Sequence, residues 1–338
     1  MKRVGNLMER ITDMENLREA FLRASKGKTD KLAVVSFRKN LDDNLKTLGL
    51  QLMHGNPKVG KYHFFKIHDP KERIICAAQF PTRVAFHAIM RICHPLFDAY
   101  QIYDSYASRI GKGQYKAIER ARGFASKYRW FAKLDVCKYF DSIDHEVMTR
   151  QIGNLIKDRR LMDIFKQLID GYCREEGKGL PIGNLTSQYF ANHYLSLADH
   201  YIKEKMSVKA YVRYMDDMLI FANDKEEIKH IVKNYTTFIE RTLILQLHQP
   251  VINKTNKGLN FLGYVVTDKA LRLSQRSRRR FRKKLANLDK EYQQSKISIE
   301  KYNMRYKCLR AFIDKAEAMA FLKSSWTARI ESDRAPTA

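Results

Sequence analysis

The sequence predicts an α+β fold with a basic helical unit at its C-terminal end. Up to about residue 267, short β-prone runs alternate with stretches of helical periodicity. Beyond it, apolar residues fall three and four apart while cations crowd the positions between them. Residues 268–338 hold 19 Lys or Arg against 8 Asp or Glu, so +11 of the net +26 lies in the last fifth of the chain. A hydrophobic content of 44% is enough for a packed core.

Pro81–Ile92 reads as a helix with Val84, Ala85, Ala88, Ile89 and Ile92 inward. Trp130–Val136 reads as a strand, and Ser187–Ile202 as a helix aligning Phe190, Tyr194, Leu197 and Tyr201. Tyr211–Tyr214 and Met218–Ala222 are strand-like runs around a pair of aspartates, which places a hairpin turn between them. In the basic unit, one helix carries Phe281, Leu285, Leu288 and Tyr292 on one face and opens with seven cations in nine residues. The last helix carries Ile299, Tyr302, Tyr306, Leu309, Ile313, Ala316 and Ala320 in a stripe.

A net charge of +26 asks for a polyanionic partner, nucleic acid or an anionic surface. No apolar run reaches the roughly 18–20 residues that span a bilayer. Met1–Asn6 has no apolar leader core, so a cytoplasmic protein without a membrane partner is expected. Cys76, Cys93, Cys137, Cys173 and Cys308 show no metal-ligand spacing, and ten scattered histidines include no His-Glu-x-x-His. They read as reduced thiols packed as small hydrophobes.

The chemistry points to carboxylates. Asp216 and Asp217 sit together at the turn, where both can reach one cavity edge, and their mutual repulsion invites a cation. Asp135 ends the strand-like run at 130–136. Hard oxygen ligands on neighbouring strand ends can hold two Mg²⁺ about 3.5–4 Å apart, the clamp used in phosphoryl transfer between nucleotides. Asp141 and Asp144 lie nearby but are turned elsewhere by helix progression, so structural roles are expected for them.

Tyr214-Met215-Asp216-Asp217 resembles the Tyr-x-Asp-Asp box of reverse transcriptases, and Leu134-Asp135 with Phe140-Asp141 resembles their first catalytic motif. In the expected order, Lys71–Ile75 resembles the fingers motif, Ser105–Gly113 the second motif and Phe261-Leu262-Gly263-Tyr264 the primer grip. The resemblance covers about residues 62–264. It implies a right-hand polymerase, with fingers and palm over 1–267, an antiparallel palm sheet carrying the aspartates, and a helical thumb over 268–338.

It also implies roles. Asp135, Asp216 and Asp217, with the Val136 carbonyl, would hold two Mg²⁺. Arg73, helped by Lys66 and Lys71, would contact the dNTP phosphates, and Phe140 would lie under the sugar and reject a 2′-hydroxyl. Lys254 would be a general acid for pyrophosphate, with Lys257 as competitor. Arg109, Lys112 and the basic face Arg276, Arg278, Arg279, Arg280, Arg282, Lys283 and Lys284 would grip the nucleic-acid backbone without reading sequence.

Gly179–Gln188 narrows the resemblance. Most reverse transcriptases carry Gln-Gly-x-x-x-Ser-Pro there, whereas this chain has Ile182-Gly183-Asn184-Leu185-Thr186-Ser187-Gln188. That pattern is similar to the enzymes of diversity-generating retroelements, which copy a template-repeat RNA into cDNA with misincorporation opposite adenine. Ile182, Gly183 and Gln188 would border the incoming nucleotide. A structured template RNA, the primer-template duplex, dNTPs and a small basic accessory protein are the implied partners. A group II intron-like, retron or antiphage-defence reverse transcriptase of ordinary fidelity is the alternative.

Overall fold

The computed structural model describes residues 2–55, 57, 62–68 and 72–316; Lys71 and Ala320 lie outside them. Four helices outside the segments singled out above open the chain: α1 (Met8–Thr12), α2 (Met14–Ser25), α3 (Leu32–Lys39) and α4 (Leu41–Met53). Asp13 caps α2 by accepting from the Glu15 and Asn16 amides, and Leu17, Ala20, Phe21 and Ala24 bury its inner face. An antiparallel ribbon follows, β1 (Tyr62–His68) against β2 (Glu72–Ala78), in register Tyr62↔Ala78. It leads into α5 (Phe80–Tyr100), whose first turn holds Pro81, where a missing N–H costs no helical bond. Val84, Ala85, Ala88 and Ile89 are buried as expected, and the helix runs eight residues beyond the predicted end.

After α6 (Gln114–Ala125), a four-stranded sheet takes the order β4 (Tyr211–Tyr214), β5 (Asp217–Ala222), β3 (Trp130–Leu134), β6 (Val251–Lys254). Side chains alternate, so the sheet has two faces. Ala132, Leu134, Tyr211, Met218 and Ile220 enter the main core with α5, α10 (Leu185–Tyr194) and α12 (Lys225–Thr242). Phe131, Val212, Leu219 and Phe221 face the other way. They pack with α6, with a second sheet of β7 (Leu259–Phe261), β8 (Tyr264–Val266) and β9 (Leu271–Leu273), and with the helices that follow. At the Asp135 end of the sheet, Asp135, Asp216 and Asp217 are half-buried. Between β3 and α10 lie α7 (Tyr139–Ser142), α8 (His145–Gly153) and α9 (Arg159–Asp170).

Two expected elements change shape. The helix over 187–202 is three pieces: α10, α11 (Ser196–His200) and a π turn at Tyr201–Lys205. Ser196 Oγ bonds the His193 carbonyl at the break, an alternative to the helical ladder that bends helices. Tyr201 then stacks on Phe238, with ring centroids 3.8 Å apart, rather than continuing the buried line of Phe190 and Tyr194. The second sheet also runs across residue 267, since β8 pairs with β9 at Tyr264↔Leu273.

The basic unit consists of α13 (Gln275–Gln293) and α14 (Ile299–Ile313). Phe281, Leu285 and Leu288 are buried; each contributes about 1.5–3 kcal/mol over exposure. Tyr302 and Ile313 are buried from α14, whereas Tyr292 and Ile299, expected inside, are exposed. They lie toward the tip of the two-helix hairpin, where the Tyr292 ring lies 5.1 Å from that of Tyr302.

Candidate active site

One end of the four-stranded sheet gathers the carboxylates. β4 and β5 pair at Tyr214↔Asp217, so Met215 and Asp216 form a two-residue hairpin turn. Met215 has φ +53°, the left-handed region that suits such a turn and is disfavoured for a side-chain-bearing residue. Register places Asp135, one residue beyond β3, opposite Asp217. Burial, then the charges of Asp135 and Asp217, push the Asp216 carboxyl up to about 6, while Arg73 pulls the other way. The three aspartates and Arg73 therefore share one electrostatic environment.

On the other side of β3, Val136 pairs with Leu247. Cys137 N–H donates to Gln246 O at 2.8 Å, and His248 N–H to Asp135 O at 2.9 Å. In that arrangement Val136 directs its own N–H and C=O away from Leu247, toward the hairpin turn. Among the described residues no three His, Cys, Asp or Glu side chains meet closely enough to hold a metal. Asp217 is instead bound by Lys133, whose Nζ lies 2.7 Å from Oδ1 and 3.1 Å from Asn260 O. The donors nonetheless suit a divalent cation: they are hard oxygens, and Asp216 is held among like charges that a cation would offset.

Backbone bonds tie three segments together beside this end of the sheet. Leu180 N–H donates to Phe140 O on α7, and Cys76 N–H on β2 donates to Ile182 O, both at 2.8 Å. Phe140 is half-buried, with its ring 5.9 Å from Tyr139. Gly183 has φ +110°, and a Cβ there would lie 2.9 Å from Ile75 Cγ2. Gly183→Ala is accordingly expected to destabilise the protein by about 1–3 kcal/mol, read as a lower melting temperature; an unchanged one would contradict this packing. Ile182 is half-buried in the turn before α10, and Gln188 is exposed on that helix. Lys66 pairs with Glu72 at 2.9 Å on the exposed ribbon, and Arg73 is exposed beside it. Asp144 caps α8 through the Val147 amide, the structural role expected of it.

Three residues expected at the substrates have other partners in this structure. Arg109 Nε pairs with Asp98 at 2.7 Å and Nη1 donates to the Ile102 and Ser105 carbonyls, so its guanidinium is spent inside the fold. Lys112 Nζ donates to Tyr103 O and lies 3.4 Å from the Tyr103 ring centroid. Lys254 pairs with Trp130, five residues before Asp135, and its Nζ sits 5.6 Å from that indole. Five residues of strand are roughly 16 Å, which removes Lys254 from the carboxylates; Lys257 is farther along the chain, in the short helical turn Thr255–Lys257. By contrast, Arg276, Arg278, Arg279, Arg280, Arg282, Lys283 and Lys284 are all exposed along α13.

Phe261-Leu262-Gly263-Tyr264 is the turn of the β7–β8 hairpin, with φ +49° at Leu262 and +88° at Gly263. Phe261 and Tyr264 are buried, and Tyr264 OH donates to Phe312 O at 2.5 Å, joining the hairpin to α14. Two side chains not singled out in the sequence belong to the site. Lys133 stands two residues before Asp135, the spacing that puts both on one face. Arg213 donates to Met215 O at 3.1 Å; its signal was a lone cation in an otherwise apolar strand.

Residues 71–266, well over half of the chain, match the reverse transcriptase (RNA-dependent DNA polymerase) family. The putative COX1/OXI3 intron 2 protein of Saccharomyces cerevisiae is 23% identical over 228 residues, covering 48% of this chain and 27% of the yeast protein. The group II intron-encoded protein LtrA of Lactococcus lactis subsp. cremoris is 23% identical over 223 residues, 61% of this chain and 37% of LtrA. The chain thus spans well under half the length of these two relatives. A solved structure of apo telomerase from Candida tropicalis, truncated from its C-terminal domain, aligns with TM-score 0.49 and 14% identity. That alignment covers 65% of this chain and 56% of the telomerase chain.

Proposed function

The chain belongs to the reverse transcriptase family, and from that premise we propose that it is an RNA-directed DNA polymerase of low fidelity. The supporting observation is the register of the strand ends, which sets Asp135 opposite Asp217 and puts Asp216 in the adjoining turn. Asp135, Asp216 and the Val136 carbonyl would hold divalent metal, Mg²⁺ by the hardness of the donors, with Asp217 joining once released by Lys133. When bound, two such ions supply activation of the primer 3′-hydroxyl and charge stabilisation of the triphosphate. Arg73 orients the phosphates, Phe140 bounds the sugar, and the Ile182 turn bounds the nascent pair. Residues 1–267 act as fingers and palm, and 268–338 as the thumb. The α13 cations track the duplex backbone without reading its sequence.

Ile182 and Gln188 support the finer reading, a diversity-generating retroelement enzyme that copies a template-repeat RNA and misincorporates opposite adenine. A small basic accessory protein and a bacterial cytoplasmic setting belong to that reading. An aliphatic side chain at 182 offers no hydrogen bond to the pair, and discrimination weakens when polar contacts are missing. The likeness to LtrA favours a second reading, a group II intron-like enzyme of ordinary fidelity.

Sequencing of cDNA made on an adenine-rich RNA separates the two. Ile182→Gln is expected to lower misincorporation at adenine several-fold, since one recovered contact is worth about 1 kcal/mol. A wild type faithful at adenine supports the intron-like reading. An error-prone wild type that the substitution leaves unchanged removes Ile182 from the explanation.

A further inference from the structure

The hairpin that carries Asp216 is fastened from below by a charged residue with no part in the proposed chemistry. Arg213, on β4 three residues before Asp216, is fully buried. Its Nε lies 2.7 and 2.9 Å from the two oxygens of Asp199, and Nη2 lies 2.5 Å from Asp199 Oδ2. Nη1 donates to Asn192 Oδ1 at 2.8 Å and to Met215 O at 3.1 Å. Nη2 also reaches Asn192 O at 3.1 Å and Gln101 Oε1 at 3.2 Å. Every N–H of the guanidinium has an acceptor.

Asp199 is equally buried and accepts a further bond from Tyr211 OH at 2.8 Å. Asn192 Nδ2 donates to Ala107 O at 3.0 Å. The Arg213 backbone is held as well: its N–H donates to Asp104 O, and its C=O accepts from Tyr106 N–H, both at 3.0 Å. Through its side chain and backbone, Arg213 thus joins the residue after α5, the 104–107 segment, α10, α11 and the Met215–Asp216 turn.

A buried ion pair is weak evidence of stability, because an apolar pair of similar volume often serves as well or better. The acceptor that an apolar pair could not serve is Met215 O. Met215 is in the left-handed region, so the peptide joining it to Asp216 has an orientation that its own backbone preference opposes. A fixed donor on that carbonyl sets the orientation. We propose that Arg213, itself held by Asp199 and Asn192, is the positioning residue that fixes the Met215–Asp216 peptide and so aims the Asp216 carboxylate. The proposal rests on the polymerase reading.

Arg213→Lys keeps a cation beside Asp199, but one ammonium cannot reach Asp199, Asn192 and Met215 together. Asn192→Ser removes the side-chain acceptor that orients Nη1 and leaves the ion pair intact. Each variant is compared with wild type by primer extension at varied dNTP, by primer-template binding and by thermal melting. We expect kcat of Arg213→Lys to fall by about tenfold to a hundredfold, the cost of a misplaced reacting group. Its KM for dNTP and its primer-template affinity should stay within about twofold, and Asn192→Ser should show the same split at several-fold.

Either variant folded with kcat unchanged overturns the proposal. So does a decline of kcat, binding and melting together, which marks a structural pair only. If Arg213→Lys does not fold, Asn192→Ser decides alone. A wild type that makes no DNA overturns the polymerase reading and this proposal with it; an active wild type with unaffected variants overturns this proposal alone.

Discussion

Asp216→Ala and Asp135→Ala are each expected to reduce DNA synthesis by roughly a thousandfold or more while RNA binding stays within about twofold. A metal clamp held by these carboxylates would supply several kcal/mol of charge stabilisation, and each 1.4 kcal/mol is about a decade in rate. Binding survives because the exposed cations of α13 are far from these aspartates in sequence and belong to another element. Primer extension with Mg²⁺ measures the first quantity and fluorescence anisotropy with a primer-template duplex the second. Extension near the wild-type rate by either variant would remove the carboxylates from the chemistry.

The same residue makes a pH-dependent prediction for chelator-treated protein. The Asp216 carboxyl is raised to about 6 by burial and by Asp135 and Asp217. A raised carboxyl contributes most below its unfolded value near 4, and that contribution is lost as pH climbs through 6. Asp216→Asn should therefore stabilise the metal-free protein at pH 7–8, by at most about 3 kcal/mol, and leave it unchanged near pH 4. A destabilised variant at pH 7–8 would show that Asp216 is not held among like charges.

The second large effect concerns sugar choice. Phe140 is half-buried on α7, and its carbonyl is bonded to Leu180 N–H, so the ring is presented from a fixed backbone. If that ring occupies the space of a ribonucleotide 2′-hydroxyl, Phe140→Ala should raise the rNTP-to-dNTP incorporation ratio by a factor on the order of 10–100, about 1.4–2.8 kcal/mol. Competition between labelled rNTP and dNTP on one template reads the ratio directly. An unchanged ratio would leave Phe140 as packing under Tyr139.

The hairpin carrying Asp216 and Asp217 was legible in the sequence because its signals are local. Two β-prone runs bracket the aspartates, and β4 occupies the expected Tyr211–Tyr214. Phe281, Leu285 and Leu288 follow helical spacing and are buried for the same local reason. What the sequence concealed depends on partners far away in the chain. A cation at position 109 looks exposed until Asp98 is found beside it.

Lys254 lies in the expected order of motifs, but order does not specify register. Lys133 pairs with Val251 while Val136 pairs with Leu247, so three steps on β3 span four on the neighbouring strand. The extra residue falls at Gln249-Pro250, a bulge where proline's missing N–H is tolerated. The break after α10 likewise depends on Ser196 finding the His193 carbonyl, which apolar periodicity does not report. Arg213 was the exception that could have been read. It shares the core face of β4 with Tyr211, and a cation on a core face requires a buried partner.

The most direct test of the account is primer extension by the wild-type chain on an RNA template with Mg²⁺ and all four dNTPs, run beside Asp216→Ala. The account predicts template-length cDNA from the wild type and essentially none from the variant. No DNA from the wild type, or equal DNA from both, would contradict it.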